Sequence, residues 1–373
     1  MNSKQKMLAA MTSGLDTGFP VVIPYVGLYL RDHWEEVTDQ PWWTFQSPDL
    51  TRWLKVEEDL QQQLNMDWVE CRMCASTNWR TRHRVETFGS SVCLVDNETG
   101  GKEELQRPPI GGKYIPVEQE SLIRSVDDLE RLLNFEGGRE PFGRGNLEYV
   151  RMAAEKYGSE RFLCAIVGSP FGRLVDYFGF TEMMTELLRR PKFVQEVLQR
   201  LIADTKEQLR AYAAAGLHGI FLEEVFSSAN EISIEAFNEF VVPSNQDVIS
   251  EIRRLGMKSI YYPCGNMTDR LELVIREIEP DCLSLEEGKK GFEVDIAKID
   301  EAVAGRLCIF GNLDSVWTLQ NGTREELRRE IVRFRDVGRR HGKFVMSLGS
   351  PVTPQTSITR LREYVTLARH ESQ

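Results

Sequence analysis

The sequence has no lysine- or arginine-rich run, and its formal net charge is −11. Nucleic acid and anionic membrane surfaces are thereby excluded as main partners, because both call for a cationic face. No apolar stretch approaches the roughly 20 residues that a bilayer-spanning helix needs. The opening MNSKQKMLAAMTSG has basic residues but no sustained apolar core. It is therefore not read as a secretory signal, and a cytoplasmic location is expected. No GxGxxG follows the first strand-like run, which argues against a dinucleotide fold. The seven cysteines are odd in number, and no second CxxC accompanies Cys71 and Cys74. Reduced thiols are expected rather than a disulfide scaffold, and that pair is read as structural.

What is present is a regular alternation. Hydrophobic residues make up 41% of the 373 and charged residues 28%, enough for a large soluble core. FLCAIVG (162–168), GIFLEEV (219–225), MKSIYY (257–262), DCLSLEE (281–287), RLCIFGNLD (306–314) and KFVMSLGS (343–350) read as strands. Cys164, Cys282 and Cys308 lie inside such runs and are expected to pack as small hydrophobes. Amphipathic helices separate the strands. The longest, from Lys192 to Ala215, carries Val194, Val197, Leu198, Leu201, Ile202, Leu209 and Tyr212 on one face. Thr323 and Glu326 form a capping box for another, which stops at Gly342. FPVVIPYV (19–26) and MDWVEC (66–71) add two more strands, with a helix around Asp49 to Leu64 between them. Eight alternating units predict a single-domain (β/α)8 barrel over residues 1–373. Residues 77–117 break the pattern and predict inserted antiparallel hairpins.

In such a barrel, chemistry gathers at the carboxyl ends of the strands. The segment SIYYPCGN places Cys264 on the turn just past one such end. Glu223, Glu224, Glu286 and Glu287 end neighbouring runs, and Asp314 follows another. Glu224 and Glu239, fifteen residues apart, could join Cys264 in an acid-rich metal site. Tyr262 could donate a proton to a leaving oxygen, and Arg173 could hold an anionic group. Asn312 and Asp314 could contact substrate, or serve only loop hydrogen bonding. Six of the seven tryptophans precede residue 80 and either roof the barrel or line an aromatic pocket. His33 and His83 are read as structural. His218 and His341 fall just before strands, on the stabilising rim.

The ordered motifs resemble the uroporphyrinogen decarboxylase superfamily. They are KQKMLAAMTSG with FPVVIPYV, VGSPFGRLVDYFG, GLHGIFLEEVFSSANEISIEAFNEFVVP, YYPCGN, FGNLDSVWTLQNGTREEL and MSLGSPVTPQTSITRLREYV. The resemblance implies a (β/α)8 barrel with its site at the strand carboxyl ends. The decarboxylase branch carries an arginine-rich motif near its start. Here PYVGLYLRDHW stands in its place and keeps only Arg31 and Asp32. The methyltransferase branch binds zinc through a His-x-Cys-Gly and a later Cys. Tyr262, Cys264 and Ser350 occupy those positions, so one ligand of that set remains. By resemblance the chain is expected to transfer a methyl group between a small substrate and a cobalamin on a partner corrinoid protein. A methoxylated aromatic or a methylamine is the expected donor, and the resemblance leaves open both a zinc ion and a homodimer. Glu224, Tyr262 and Cys264 would activate the donor, and Asn312 and Asp314 would orient it. Arg31, Arg173 and Ser350 would also bind substrate. Two alternatives stay open: a metal-free decarboxylase or lyase using Arg31, Asp32 and Arg173, and a barrel that only binds.

Overall fold

The fold was analysed in a computed structural model that describes residues 1–111, 119–133, 145–288 and 291–370. Apolar runs flanked by amphipathic helices bury both faces of a strand, which is the condition for parallel pairing. The strands in chain order are β1 (Trp68–Glu70), β2 (His83–Phe88), β3 (Ser91–Asp96), β4 (Lys102–Glu104) and β5 (Phe162–Gly168). They continue with β6 (Gly219–Glu224), β7 (Lys258–Pro263), β8 (Cys282–Ser284), β9 (Cys308–Phe310) and β10 (Phe344–Val345). Seven of them form one curled parallel sheet in the order β1-β5-β6-β7-β8-β9-β10. Its register aligns Gly168 with Glu223, and Glu224 with Pro263. The polar ends of adjacent strands therefore come level at one rim.

The expected strand at 19–26 is reduced to an isolated parallel bridge between Val21 and Met346. Met346 N–H donates to Pro20 O at 2.8 Å, and Val22 N–H to Met346 O at 2.9 Å. On the other side Asp67 N–H donates to Val21 O at 3.0 Å, and the buried Asp67 carboxylate accepts from Val21 N–H at 2.8 Å. The segment thus joins the two edge strands of the sheet. An aspartate side chain supplies one of the bonds that a regular ladder would make.

Within the sheet, Trp68 is fully buried, with ring centroids 6.1 Å from Phe221 and 6.3 Å from Phe310. Cys164, Cys282 and Cys308 are fully buried as well. The long helix runs Pro191–Ala214, and all seven apolar residues expected on its inner face are buried. The Thr323–Glu326 capping box is present, and Gly342 ends that helix at φ 73°. The inserted segment forms an antiparallel sheet of β2, β3 and β4, but its first residues, Thr77–Arg82, are helical rather than part of a hairpin. Positions 112–117 of the expected insertion lie outside the described residues. His218 accepts from Leu163 N–H through Nδ1 at 3.0 Å, and burial lowers its pKa to about 4. It is a neutral structural group. No helix among the described residues is long and apolar enough to cross a membrane.

Candidate functional site

The strand ends converge as the sequence pattern implies. Glu224, the last residue of β6, is fully buried. Its Oε2 accepts from Asn245 Nδ2 at 2.6 Å, and the same amide reaches the Tyr261 hydroxyl at 3.2 Å. Burial pushes the Glu224 carboxyl up to about 7, against the opposing pull of Asn245, Ser169 and Ser227. Near neutral pH this acid therefore keeps its proton far more readily than an ordinary carboxyl. Asn245 sits on the helix Val242–Arg254 between the buried Val242, Val248 and Ile249. A polar residue on an apolar stripe was the available sequence signal for it, and sequence reasoning missed it.

Cys264 follows Pro263, the last residue of β7, and is half-buried. Its backbone N–H donates to Glu224 O at 2.8 Å. The next N–H, of Gly265, donates to Glu286 Oε2 at 2.9 Å. Two strand ends thus hold the turn that carries the thiol. Asn312 Nδ2 donates to Glu286 O at 3.1 Å, and Ser350 Oγ donates to Glu287 Oε2 at 2.7 Å. These residues therefore lie beside the thiol turn, with their polar groups engaged by the rim itself.

Tyr25 was the other omission. Its hydroxyl donates to Glu223 Oε1 at 2.7 Å, and its ring stands 5.8 Å from that of Tyr262. Burial and the Glu223 carboxylate push its pKa well above the ordinary tyrosine value, so the phenol keeps its proton. Tyr25 (φ 57°) and Phe226 (φ 63°) hold left-handed backbone at this rim. Such conformations cost about 1–3 kcal/mol each and collect at functional sites.

Other expected residues are differently employed. The Tyr262 hydroxyl donates to Gly349 O at 2.7 Å, and its ring is buried. A proton committed to a main-chain carbonyl is not presented to a leaving group. Tyr262→Phe should leave that buried carbonyl unpaired and cost about 1–3 kcal/mol, measurable by denaturant unfolding. Turnover in that variant should stay within about tenfold of wild type, since general-acid loss typically costs 10²–10⁴. Asp314 caps the short helix Ser315–Gln320, accepting from Val316 N–H at 2.9 Å and also from Trp317 and Thr318. Arg173 is paired with Asp204 at 2.8 Å and donates to Thr205 Oγ1 at 2.9 Å. Arg31 is paired with Asp32 at 2.7 Å.

The expected metal trio is not assembled. Glu239 is exposed and accepts from Gln195 Nε2 at 3.0 Å, whereas Glu224 is fully buried. Its neighbours Phe237, Phe240 and Val241 turn inward, so the helical period turns Glu239 outward. Among the described residues, no three His, Cys, Asp or Glu side chains come together to hold a metal ion. The zinc positions implied by resemblance fare no better. Tyr262 and Ser350 offer hydroxyls already bonded to Gly349 and Glu287, and zinc prefers imidazole and thiolate. The residues present do not fit a zinc ion at Cys264.

The chain is similar over 258 residues, at 22% identity, to a methylcobamide:CoM methyltransferase of Methanosarcina acetivorans, covering 69% of this chain and 72% of that protein. A methylated-thiol–coenzyme M methyltransferase of Methanosarcina mazei is 24% identical over 270 residues, 70% of this chain and 65% of that one. The uroporphyrinogen decarboxylase of Chlorobaculum tepidum is 25% identical over 293 residues, 76% of this chain and 78% of that one. The fold matches that of a methyltransferase from Methanosarcina mazei at TM-score 0.67 and 17% identity, covering 99% of this chain and 98% of the other. Residues 108–371 match the uroporphyrinogen decarboxylase (URO-D) family, and the chain belongs to it.

Proposed function

We propose that the protein is a methyltransferase that moves a methyl group between a small substrate and a cobalamin carried on a separate corrinoid protein. The bridging segment 20–22 supports reading the sheet as a (β/α)8 barrel, one domain over residues 1–373, with its site at the carboxyl-end mouth.

The observation that carries the reading is the character of that mouth. The Cys264 turn is bonded to Glu224 O and to the Glu286 carboxylate, Glu223 and Glu287 stand at the same strand ends, and Arg173 is neutralised by Asp204. A porphyrinogen with many acid side chains needs cations converging there. The strand ends supply acids there instead, at Glu223, Glu286 and Glu287. The same ion pairs disfavour a lyase that uses Arg31, Asp32 and Arg173 as its working groups. The relatives named as methyltransferases point the same way.

The corrinoid supplies the metal centre that takes up or gives the methyl group. The remaining work falls to this chain. Tyr25, protonated and bonded to Glu223, holds that carboxylate in place at the mouth. Cys264 is held by the turn as a polarisable contact for the methyl-bearing atom. Glu224 keeps a proton in reserve beneath that turn. Trp317, 69% exposed just past the end of β9, is an anchor of the kind that protein interfaces bury, and it suits a corrinoid protein docking at this rim.

The test is methyl transfer to free reduced cobalamin under anaerobic conditions, with methyl ethers, methylamines and methyl thioethers as donors. At least one donor should change the visible absorption of the corrinoid in an enzyme-dependent way. Release of CO2 from acid substrates, with the corrinoid unchanged throughout, would overturn the reading.

A further inference from the structure

Successive side chains of a strand point to opposite faces of its sheet. The register pairs Glu223 with Tyr262, and both turn inward: Tyr25 holds Glu223, and its ring stands 5.8 Å from that of Tyr262. Glu224 and Tyr261 therefore turn outward, toward the helix Val242–Arg254. That helix meets them with the fully buried Asn245, whose Nδ2 donates to Glu224 Oε2 at 2.6 Å and to the Tyr261 hydroxyl at 3.2 Å. One amide thus ties the ends of β6 and β7 together from behind the sheet.

The same residue, Glu224, also carries the thiol turn. Its main-chain oxygen accepts from Cys264 N–H at 2.8 Å. Fixing the Glu224 side chain from behind therefore fixes the point from which that turn hangs. The surroundings leave the turn little other support to shift onto. Phe226 and Gly265 hold left-handed backbone, at φ 63° and 87°.

Packing does not call for an amide here. The neighbours on this stripe, Val242, Val248 and Ile249, are apolar and buried. Asn245 Oδ1 is buried with no hydrogen-bond partner among the described residues. An orphaned polar atom costs stability, so a leucine would suit the helix better. What the amide supplies is the bond across the two strand ends.

We infer that Asn245 is a positioning residue: acting through Glu224, it sets the place of the Cys264 thiol at the mouth. This rests on the reading of Cys264 as the working thiol, and it gives Asn245 no contact with substrate.

The test is alkylation of Cys264 by iodoacetamide in the full chain, read by mass spectrometry of the labelled peptide, beside single-turnover methyl transfer. Asn245→Leu replaces the amide by an apolar group of the same branching. Its Cys264 should react about fivefold or more faster than in wild type, as expected of a locally released turn. Cys164, Cys282 and Cys308, fully buried, should stay unlabelled. Methyl transfer should fall about a hundredfold, with donor affinity nearly unchanged. Asn245→Asp offers a conditional rescue. At the 2.6 Å spacing two carboxyls can share one proton in an O–H···O bond. Around pH 6 this variant should match wild type, and around pH 9, with both groups ionised and repelling, it should behave as Asn245→Leu. Glu231 faces Glu224, and Cys264 and Arg270 face Tyr261. All three are common to every variant, so the ratio to wild type at each pH isolates the pair. Unchanged Cys264 alkylation in folded Asn245→Leu, labelling that spreads to the buried cysteines, or an Asn245→Asp variant indifferent to pH would overturn the inference. The parent reading fails separately. If alkylation shifts as expected but no donor methylates the corrinoid, the positioning role stands and the methyltransferase reading falls. If methyl transfer occurs and Asn245→Leu alters neither it nor alkylation, the reading stands and the positioning role falls.

Discussion

Glu57→Gln should stabilise the protein at pH 8 by roughly 3 kcal/mol and change little at pH 5. Glu57 is buried on the helix Leu50–Leu64, where Gln61 Nε2 donates to its Oε1 at 2.8 Å. Burial raises its carboxyl from the ordinary 4.5 to about 7. The folded chain thus holds a proton that the unfolded chain releases. Stability from this group is unaffected below the unfolded pKa, falls as pH rises from about 4.5 to 7, and stays reduced above that. Glu224 acts in the same sense over the same range. His218 acts in the opposite sense: its folded pKa of about 4 lies below the ordinary 6.5, so its share of stability grows as pH rises through that range. The wild-type curve mixes these terms, and the difference between wild type and variant isolates Glu57. Denaturant unfolding of both from pH 5 to 8 checks it. Parallel curves would contradict the buried-acid account.

Gly265→Ala should cost about 2–5 kcal/mol and abolish most turnover. The glycine sits at φ 87°, where an L side chain is strained by roughly 1–2 kcal/mol. A Cβ there would also lie 2.6 Å from Ser228 Cβ, closer than any tolerated contact. Overpacking of this kind adds about 1–3 kcal/mol. Relief requires the turn to move, and the turn carries both Cys264 and the Gly265 N–H bond to Glu286. Gly256→Ala is the control. It has φ 75° but nothing within 4 Å of its added carbon. Only the conformational cost should appear there, with turnover intact. Equal effects at both glycines, by unfolding and by rate, would show that the Ser228 contact does not matter.

Much of this arrangement was legible locally. FLCAIVG and GIFLEEV are long apolar runs, and they pair in register in the sheet. The capping box and the inner face of Pro191–Ala214 depend on residues a few positions apart, and both are found as read. The strand-end placement of Cys264 and the glutamates follows from strand boundaries alone. What was missed depends on partners distant in sequence. Tyr262 finds Gly349, 87 residues away, and Tyr25 finds Glu223, 198 residues away. No local pattern encodes such pairs. Glu239 is a different case. Its outward position was readable from the helical period of its neighbours, and chain spacing to Glu224 was the wrong guide. Asp314 likewise precedes a short helix, and its capping role competed with its place at a strand end. The 20–22 segment read as a strand because its residues are apolar, yet it makes only a bridge, since Asp67 takes over part of the pairing.

The most direct test of the account is the single-turnover rate of corrinoid methylation in wild type and Cys264→Ala, with unfolding curves confirming that both are folded. A fall of about a hundredfold or more, with stability nearly unchanged, is the predicted result. A folded variant that transfers the methyl group at the wild-type rate would contradict a site built around the strand-end thiol.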